Sequence, residues 1–296
     1  MDAGVTPARL RALGSALAAQ GPSLRPDLPW RLTRDPWAVL VSEVMAQQTQ
    51  LARVVPAYQA FVARFPDAAS CAAAPVGEVL RRWAGLGYNR RARSLHLAAT
   101  AVVRDHGGVV PATLAELRAL PGVGPYTARA VLAFAFEADV GVLDTNAGRV
   151  LARAVAGRRL GVREAQVLAD ALVPPGRAWS CNQALLDVGS LVCTSRRPRC
   201  DDCPLAARCA WRAAGWPQPD PAQRSAGVSA PQSAFDGSDR QGRGRLVAAL
   251  RRAPVRQADV AAAAGWPDDP ERAAGVAEAL VAEGLAVRRG DRLELP

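Results

Sequence analysis

From Ala38 to about Phe65, apolar residues return at every third or fourth position, the spacing that puts them on one side of an α-helix. The same period recurs over 77–84, 91–104, 113–119, 126–136, 146–156 and 163–172. Short Pro- or Gly-bearing breaks separate these stretches, among them Pro66-Asp67, Gly107-Gly108 and Pro174-Pro175-Gly176. Strand-like alternation is absent until the last ten residues, so the pattern predicts a mainly helical protein. From Trp216 to Gln241 the chain turns rich in Pro, Ser, Gln, Gly and Asp, the composition of a linker. The expected organisation is a helical domain over 1–215, a linker over 216–241 and a small domain over 242–296. In the last of these, helical patterns at 243–252, 256–264 and 270–284 precede 286–295, where Gly290-Asp291 suits a hairpin turn. Three helices and a hairpin predict a winged-helix-like α+β unit; a three-helix cap with an extended tail is the alternative.

Half of the 296 residues are hydrophobic, enough for a substantial core. No run of eighteen apolar residues occurs, and the stretch from Met1 lacks the apolar centre of a signal peptide, so a cytoplasmic, nucleoid-associated protein with no membrane partner is expected, as a monomer. The net charge of +10 and the isoelectric point near 10.4 favour a polyanionic partner, because each cation set against a phosphate releases condensed counterions. All 37 basic residues are arginine; the chain has no lysine. Arginine forks onto phosphates and guanine edges, which suits DNA, although genomic base composition produces the same bias.

Four of the six cysteines, Cys193, Cys200, Cys203 and Cys209, lie within seventeen residues at the spacing C-x6-C-x2-C-x5-C. In a reducing compartment this is a metal-site pattern, and four thiolates on one loop suit either tetrahedral zinc or a [4Fe–4S] cube. Zinc sites favour two close pairs, whereas this spacing is uneven. Cys71 and Cys181 stand apart and read as small buried side chains. Upstream, Leu120-Pro121-Gly122-Val123-Gly124 separates two helical stretches, and its amides at the start of the next helix offer a phosphate site. Twenty residues past Gly124 stands Asp144, within Val142-Leu143-Asp144-Thr145-Asn146.

A glycine hairpin with a downstream aspartate and a four-cysteine loop resembles the helix-hairpin-helix glycosylases of the endonuclease III superfamily. Leu28-Pro29-Trp30-Arg31, the run Val41-Ser42-Glu43-Val44-Met45-Ala46-Gln47-Gln48-Thr49-Gln50 and Gly85-Leu86-Gly87-Tyr88 are similar to blocks of the MutY-type adenine DNA glycosylases. The resemblance spans roughly residues 25 to 212. It implies a two-lobed helical fold, a [4Fe–4S] cluster on Cys193, Cys200, Cys203 and Cys209, and duplex DNA with mismatched or damaged base pairs as partner. Arg196, Arg197 and Arg199, between the first two ligands, would then face DNA.

Removing adenine from its sugar requires a proton on the departing base and an anion beside the nascent sugar cation. The resemblance makes Glu43 the general acid, which requires a raised pKa in an apolar pocket, and Asp144 the anion. Tyr126 and Asn146 match positions that orient these groups and the water. Gln48 and Tyr88, within the blocks that also hold Thr49 and Leu86, would fill the gap left by the extruded nucleotide. Gly122 and Gly124 would bind a phosphate, and Trp30, Arg31 and Gln183 would wall the base pocket. Relatives that also cut the strand use a lysine where this chain has Tyr126, and with no lysine a lysine imine is impossible, so a hydrolytic, monofunctional enzyme is expected.

The chain departs from the family in three ways. The 87 residues after Cys209 lack the strand pattern of the Nudix-like domain that MutY-type enzymes usually carry for reading 8-oxoguanine; Ala46 stands where a larger apolar residue is common, and Asn89 where an aromatic is. Arg251, Arg252, Arg288, Arg289 and Arg292 of the small domain could add DNA contacts. Two other functions fit the same motifs: a mismatch thymine or uracil glycosylase, which needs less acid help than Glu43 offers, and a non-catalytic iron–sulfur DNA-binding protein.

Overall fold

The computed structural model describes residues 5–21, 23–226 and 234–296; the first four residues, Pro22 and the middle of the 216–241 linker lie outside it. Its helices are α1 (Pro7–Gln20), α2 (Pro36–Ala46), α3 (Leu51–Arg64), α4 (Ala68–Ala73), α5 (Val76–Arg82), α6 (Arg90–His106), α7 (Leu114–Ala119), α8 (Pro125–Ala135), α9 (Thr145–Val150), α10 (Val162–Leu172), α11 (Ala178–Asp187), α12 (Ala210–Ala213), α13 (Asp239–Arg252), α14 (Val260–Ala264) and α15 (Pro270–Ala282). Two of them run on as stretches of π-helix, α9 through Leu151–Ala156 and α11 through Val188–Val192. Among the described residues no helix is long and apolar enough to cross a membrane.

The chain divides into two compact units. The first comprises Met1–Val39, Ala112–Leu114 and Gly124–Ala230. Its core is built from α1, α9, α10, α11 and the π-helical stretches, through Leu10, Leu13, Leu17, Leu151, Leu168, Leu172, Leu185 and Val188. In α1 the buried residues Leu10, Leu13, Gly14, Leu17 and Ala18 form one stripe, and the ends are set by chemistry that the sequence carries. Thr6 caps the first turn by accepting from the Arg9 amide at 3.2 Å, with Pro7 at the first helical position. Periodicity does not mark this helix, α4 or α11, because small and polar residues interleaved with the apolar ones leave little apolar contrast.

The second unit comprises Leu40–Pro111, Ala115–Val123 and Pro231–Pro296. Its helical part packs α3, α4, α5 and α6 around Phe61, Phe65 and Trp83, all fully buried. Phe61 meets Phe65 and Trp83 edge-on, at 4.9 and 6.1 Å between ring centres, the arrangement aromatic quadrupoles prefer. The predicted helical stretch of 38–65 is two helices, interrupted at Gln47–Gln50, where Gln48 takes φ of +52°.

The C-terminal part of this unit is α13, a two-residue strand β1 (Val255–Arg256), α14, α15 and the hairpin β2 (Val287–Arg289) and β3 (Arg292–Glu294). The strands pair antiparallel in the order β1-β3-β2, with Val255 opposite Leu293 and Arg289 opposite Arg292 across the Gly290-Asp291 turn. Three helices with a three-stranded wing match the winged-helix-like expectation. Leu246, Leu250, Val260, Val276, Leu280 and Leu293 supply its core.

Candidate active site and cysteine loop

Asp144 sits at the N-cap of α9, where backbone amides lack partners, and its carboxylate collects three donors. Oδ1 accepts from the amides of Asn146 at 2.8 Å and Ala147 at 2.7 Å, and Oδ2 accepts from the Asn146 side-chain amide at 2.7 Å. Burial pushes the Asp144 carboxyl above its ordinary value, against those hydrogen bonds and the nearby Arg149, which favour the ion. The segment leading to it is fixed by Asn182, whose Oδ1 accepts from the Val142 amide and whose Nδ2 donates to the Val140 carbonyl, each at 2.9 Å.

Asn146 in turn accepts at Oδ1 from Arg149 Nη2, 2.9 Å away, and Arg149 Nε donates to the carbonyl of Cys193 at 2.6 Å. A second arginine, Arg153, is almost wholly buried beside the same loop. It donates to the Thr194 carbonyl at 2.7 Å and to Cys193 Sγ at 3.4 Å, and pairs with Asp220. Burial works against its charge, but Asp220 and Cys193 outweigh that and hold the guanidinium firmly protonated. Its plane lies 5.0 Å from the ring centre of Trp211. Gly189 lets these pieces meet, since a Cβ there would stand 2.6 Å from the Asn146 carbonyl oxygen. Asn182, Arg149, Arg153 and Gly189 escaped the sequence reading because only tertiary contact gives them a role.

Cys193, Cys200, Cys203 and Cys209 line one small cavity of about 20 Å³ in the first unit, with Val150, Val188, Leu205 and Trp211. No carboxylate or imidazole is among its lining residues, while Arg153, Arg199 and Arg212 are. Among the described residues no three His, Cys, Asp or Glu side chains are placed to hold a metal ion; the four thiols are distributed around the cavity. An all-sulfur donor set backed by arginines fits a soft, anionic metal–sulfur group, the arginines offsetting its negative charge. Burial raises the Cys193 thiol and pushes that of Cys203 to about 11, so any metal bound here must displace protons. Arg196, Arg197 and Arg199 are exposed on this loop. Cys71 and Cys181 are fully buried elsewhere, each pushed to about 12 by burial.

In the same unit, Gly124 is the N-cap of α8 and makes no side-chain cap hydrogen bond; Tyr126 is half-buried on the first turn. Arg31 is buried and forks onto Asp187, both nitrogens at 2.8 Å from a carboxylate oxygen. Trp30 is half-buried beside it, and Gln183 is buried on α11.

The second unit holds Glu43, buried on α2 among Leu40, Val41, Val44 and Met45. It also holds the two loops expected to enter the duplex. Gln48 is exposed and Tyr88 is 44% exposed, and both take left-handed backbone, φ of +52° and +47°, a strain kept only where the surroundings enforce it. The enforcing residue is Arg91 on α6. Its Nη1 donates to the carbonyls of Val44, Met45 and Gln47 at 2.8, 3.0 and 2.5 Å, and its Nη2 to Thr49 Oγ1 at 3.0 Å and Leu86 at 3.1 Å. Burial lowers the Arg91 pKa to about 10, which leaves it charged at neutral pH. Leu86 is buried, and Thr49 Oγ1 also lies 3.3 Å from its carbonyl. Gly122 is exposed, with φ of +77° and Ser94 so close behind it that a Cβ would stand 2.5 Å away.

Known proteins give this arrangement a family. Residues 41–174 match the model of the HhH-GPD superfamily base excision DNA repair proteins. An adenine DNA glycosylase of Mycobacterium tuberculosis is 45% identical over 91% of this chain and 89% of its own length. One of Mycolicibacterium smegmatis is 41% identical over 90% of each. Among solved structures, a thermostable thymine-DNA glycosylase superposes with a TM-score of 0.63 at 28% identity, covering 70% of this chain and 98% of its own. A non-covalent endonuclease III–DNA complex superposes with a TM-score of 0.59 at 25% identity, covering 71% of this chain and 98% of its own. Matched by such relatives over nine-tenths of its length, the chain belongs to the MutY-type adenine DNA glycosylase family of helix-hairpin-helix base excision repair proteins.

Proposed function

We propose that this protein removes adenine standing opposite guanine or 8-oxoguanine in duplex DNA, by hydrolysis of the N-glycosidic bond without cutting the strand. The observation that carries the reading is Asp144, a half-buried carboxylate whose two oxygens are fixed by three donors at the start of α9. Such an anion, partly shielded from water and held in place by its donors, favours a sugar cation more than a solvated carboxylate does. Asn146 orients it, Tyr126 orders the attacking water, and Glu43 delivers the proton that adenine needs to leave. Gln48, Thr49, Leu86 and Tyr88 hold the duplex open. Gly122 and Gly124 take a phosphate, and Trp30, Arg31 and Gln183 shape the base pocket, Arg31 through its clasp on Asp187. Cys193, Cys200, Cys203 and Cys209 hold a [4Fe–4S] cluster, which supplies a rigid brace for the loop bearing Arg196, Arg197 and Arg199.

With no lysine in the chain, borohydride should trap no covalent adduct through a side-chain amine. Base release measured on duplexes with A, T or U opposite G and 8-oxoguanine tests the reading directly. Adenine release that Glu43→Gln and Asp144→Asn abolish supports it; release of thymine or uracil alone overturns it in favour of a mismatch pyrimidine glycosylase. That second reading has the superposition on the thymine-DNA glycosylase behind it. Lesion binding with no base released would point to a non-catalytic protein. Purified protein that absorbs near 410 nm in the way iron–sulfur clusters do supports the cluster, about four irons per chain being expected; one zinc and no colour refutes it.

A further inference from the structure

Past the cysteine loop the chain stays on the first unit. Trp211 Nε1 donates to the Pro217 carbonyl at 3.0 Å, Arg159 Nε to the Arg224 carbonyl at 2.8 Å, and the Ala226 amide to the Leu160 carbonyl at 3.0 Å. Ser225 is buried, and its Oγ accepts from the Leu160 amide at 3.1 Å. Gly148 of α9 has no room for a side chain, since a Cβ there would stand 2.2 Å from the Ala226 carbonyl oxygen. Residues 217–226 are therefore tied down along their length, which fixes the one acidic side chain among them.

That side chain, Asp220, takes the side-on fork of Arg153: Nε donates to Oδ1 at 2.9 Å and Nη2 to Oδ2. Oδ1 also accepts from the Ala222 amide at 2.9 Å, so the carboxylate is itself held in place. With this edge of the guanidinium occupied, Nη1 is turned to the cysteine loop, where it donates to the Thr194 carbonyl at 2.7 Å and to Cys193 Sγ at 3.4 Å. Both partners are shielded, the Arg153 side chain being 2% exposed and that of Asp220 14%. A buried guanidinium needs a counter-charge, and Asp220 supplies it. Arg149, by contrast, spans to the Cys193 and Gly189 carbonyls rather than to a sulfur.

Hydrogen bonds to the sulfurs and fixed charges nearby set the potential of a thiolate-held iron–sulfur group. A donor or cation favours the reduced form, which carries the more negative charge, and an anion favours the oxidised form. Arg153 and Asp220 thus act in opposite directions. We propose that Asp220 is a positioning residue that, through Arg153, sets the reduction potential of the cluster held by Cys193, Cys200, Cys203 and Cys209. The proposal rests on the iron–sulfur reading of those four cysteines. Asp220 works without touching a ligand: it fixes the rotation of the guanidinium and offsets its charge.

The test is a redox titration of the full chain, purified with its iron and followed at the visible absorption, for wild type, Asp220→Asn, Asp220→Glu and Arg153→Met. Iron in the wild-type chain is scored first: none, or a single zinc, sinks the cluster reading before any variant is compared. With iron present, Asp220→Asn should shift the one-electron equilibrium roughly tenfold toward the reduced form, about 59 mV more positive. Arg153→Met should move it the opposite way, and Asp220→Glu, which keeps the charge, should stay near wild type. An unmoved or more negative potential in Asp220→Asn overturns the proposal. So does Asp220→Glu shifting as far as Asp220→Asn, since packing alone would then account for the residue. If Asp220→Asn purifies without iron, iron content decides: Asp220→Glu retaining its iron supports the need for a carboxylate, and an equally empty Asp220→Glu overturns it.

Discussion

Replacing Arg91 by Met keeps the apolar stem and removes the fork that ties Gln47–Thr49 to Leu86–Gly87. Three bonds from Nη1, to the carbonyls of Val44, Met45 and Gln47, are 3.0 Å or shorter. Charged donors contribute about 1.5 kcal/mol net each at the low end, and water entering the gap recovers roughly 1 kcal/mol, so the loss should be about 3–4 kcal/mol. That is a large part of an ordinary domain's stability. Because the chain has two units, one global unfolding curve need not report it. Hydrogen exchange does: the amides of Thr49, Leu86 and Arg91, bonded to the carbonyls of Ala46, Trp83 and Tyr88, should lose protection by two to three orders of magnitude. Protection at the amides of the first unit, such as Ala147 and Gly148, should not change. A loss below about 1 kcal/mol at the two loops would mean that water serves these carbonyls as well as Arg91 does, and the role assigned to it would be wrong.

Four further outcomes follow from the same contacts. Because burial raises the Asp144 carboxyl, the acid limb of base release should lie above the ordinary aspartate value of about 4. In the window between those two values the native state holds the extra proton, so Asp144 favours folding below it and that contribution is lost as pH rises through the raised value; Asp144→Asn should flatten this slope in pH-dependent denaturation. Gly189→Ala drives a methyl against the Asn146 carbonyl and should cost about 1–3 kcal/mol and slow single-turnover base release more than it weakens DNA binding. Arg149→Met removes the bridge from Asn146 to the Cys193 carbonyl, and should lower the rate of release while leaving the visible spectrum in place. Cys203→Ser should abolish that spectrum and loosen 193–209 to proteolysis.

Arg31 shows how a motif can single out a residue while its contact stays hidden. The block Leu28-Pro29-Trp30-Arg31 singled it out, but only the fold reveals that Asp187, 156 residues on, takes its fork. Breaking such a buried pair costs about 3–5 kcal/mol, because the remaining charge is stranded. Asn89 is the reverse case. In the sequence it is a departure from a family pattern, and in the structure it anchors Arg251.

By itself, the order of residues determined the helical class, most helix positions, the cysteine loop, the aspartate downstream of the glycine hairpin and the exclusion of a lysine imine. These are properties of period, spacing and residue type, which survive without knowledge of what lies opposite. Tertiary structure alone decided that Arg91 organises two loops, that Arg149 and Arg153 back the cysteine loop, and that Asp220 takes the fork of Arg153. The physical reason is that an arginine's partners are mostly backbone carbonyls, which every residue carries and no sequence pattern marks.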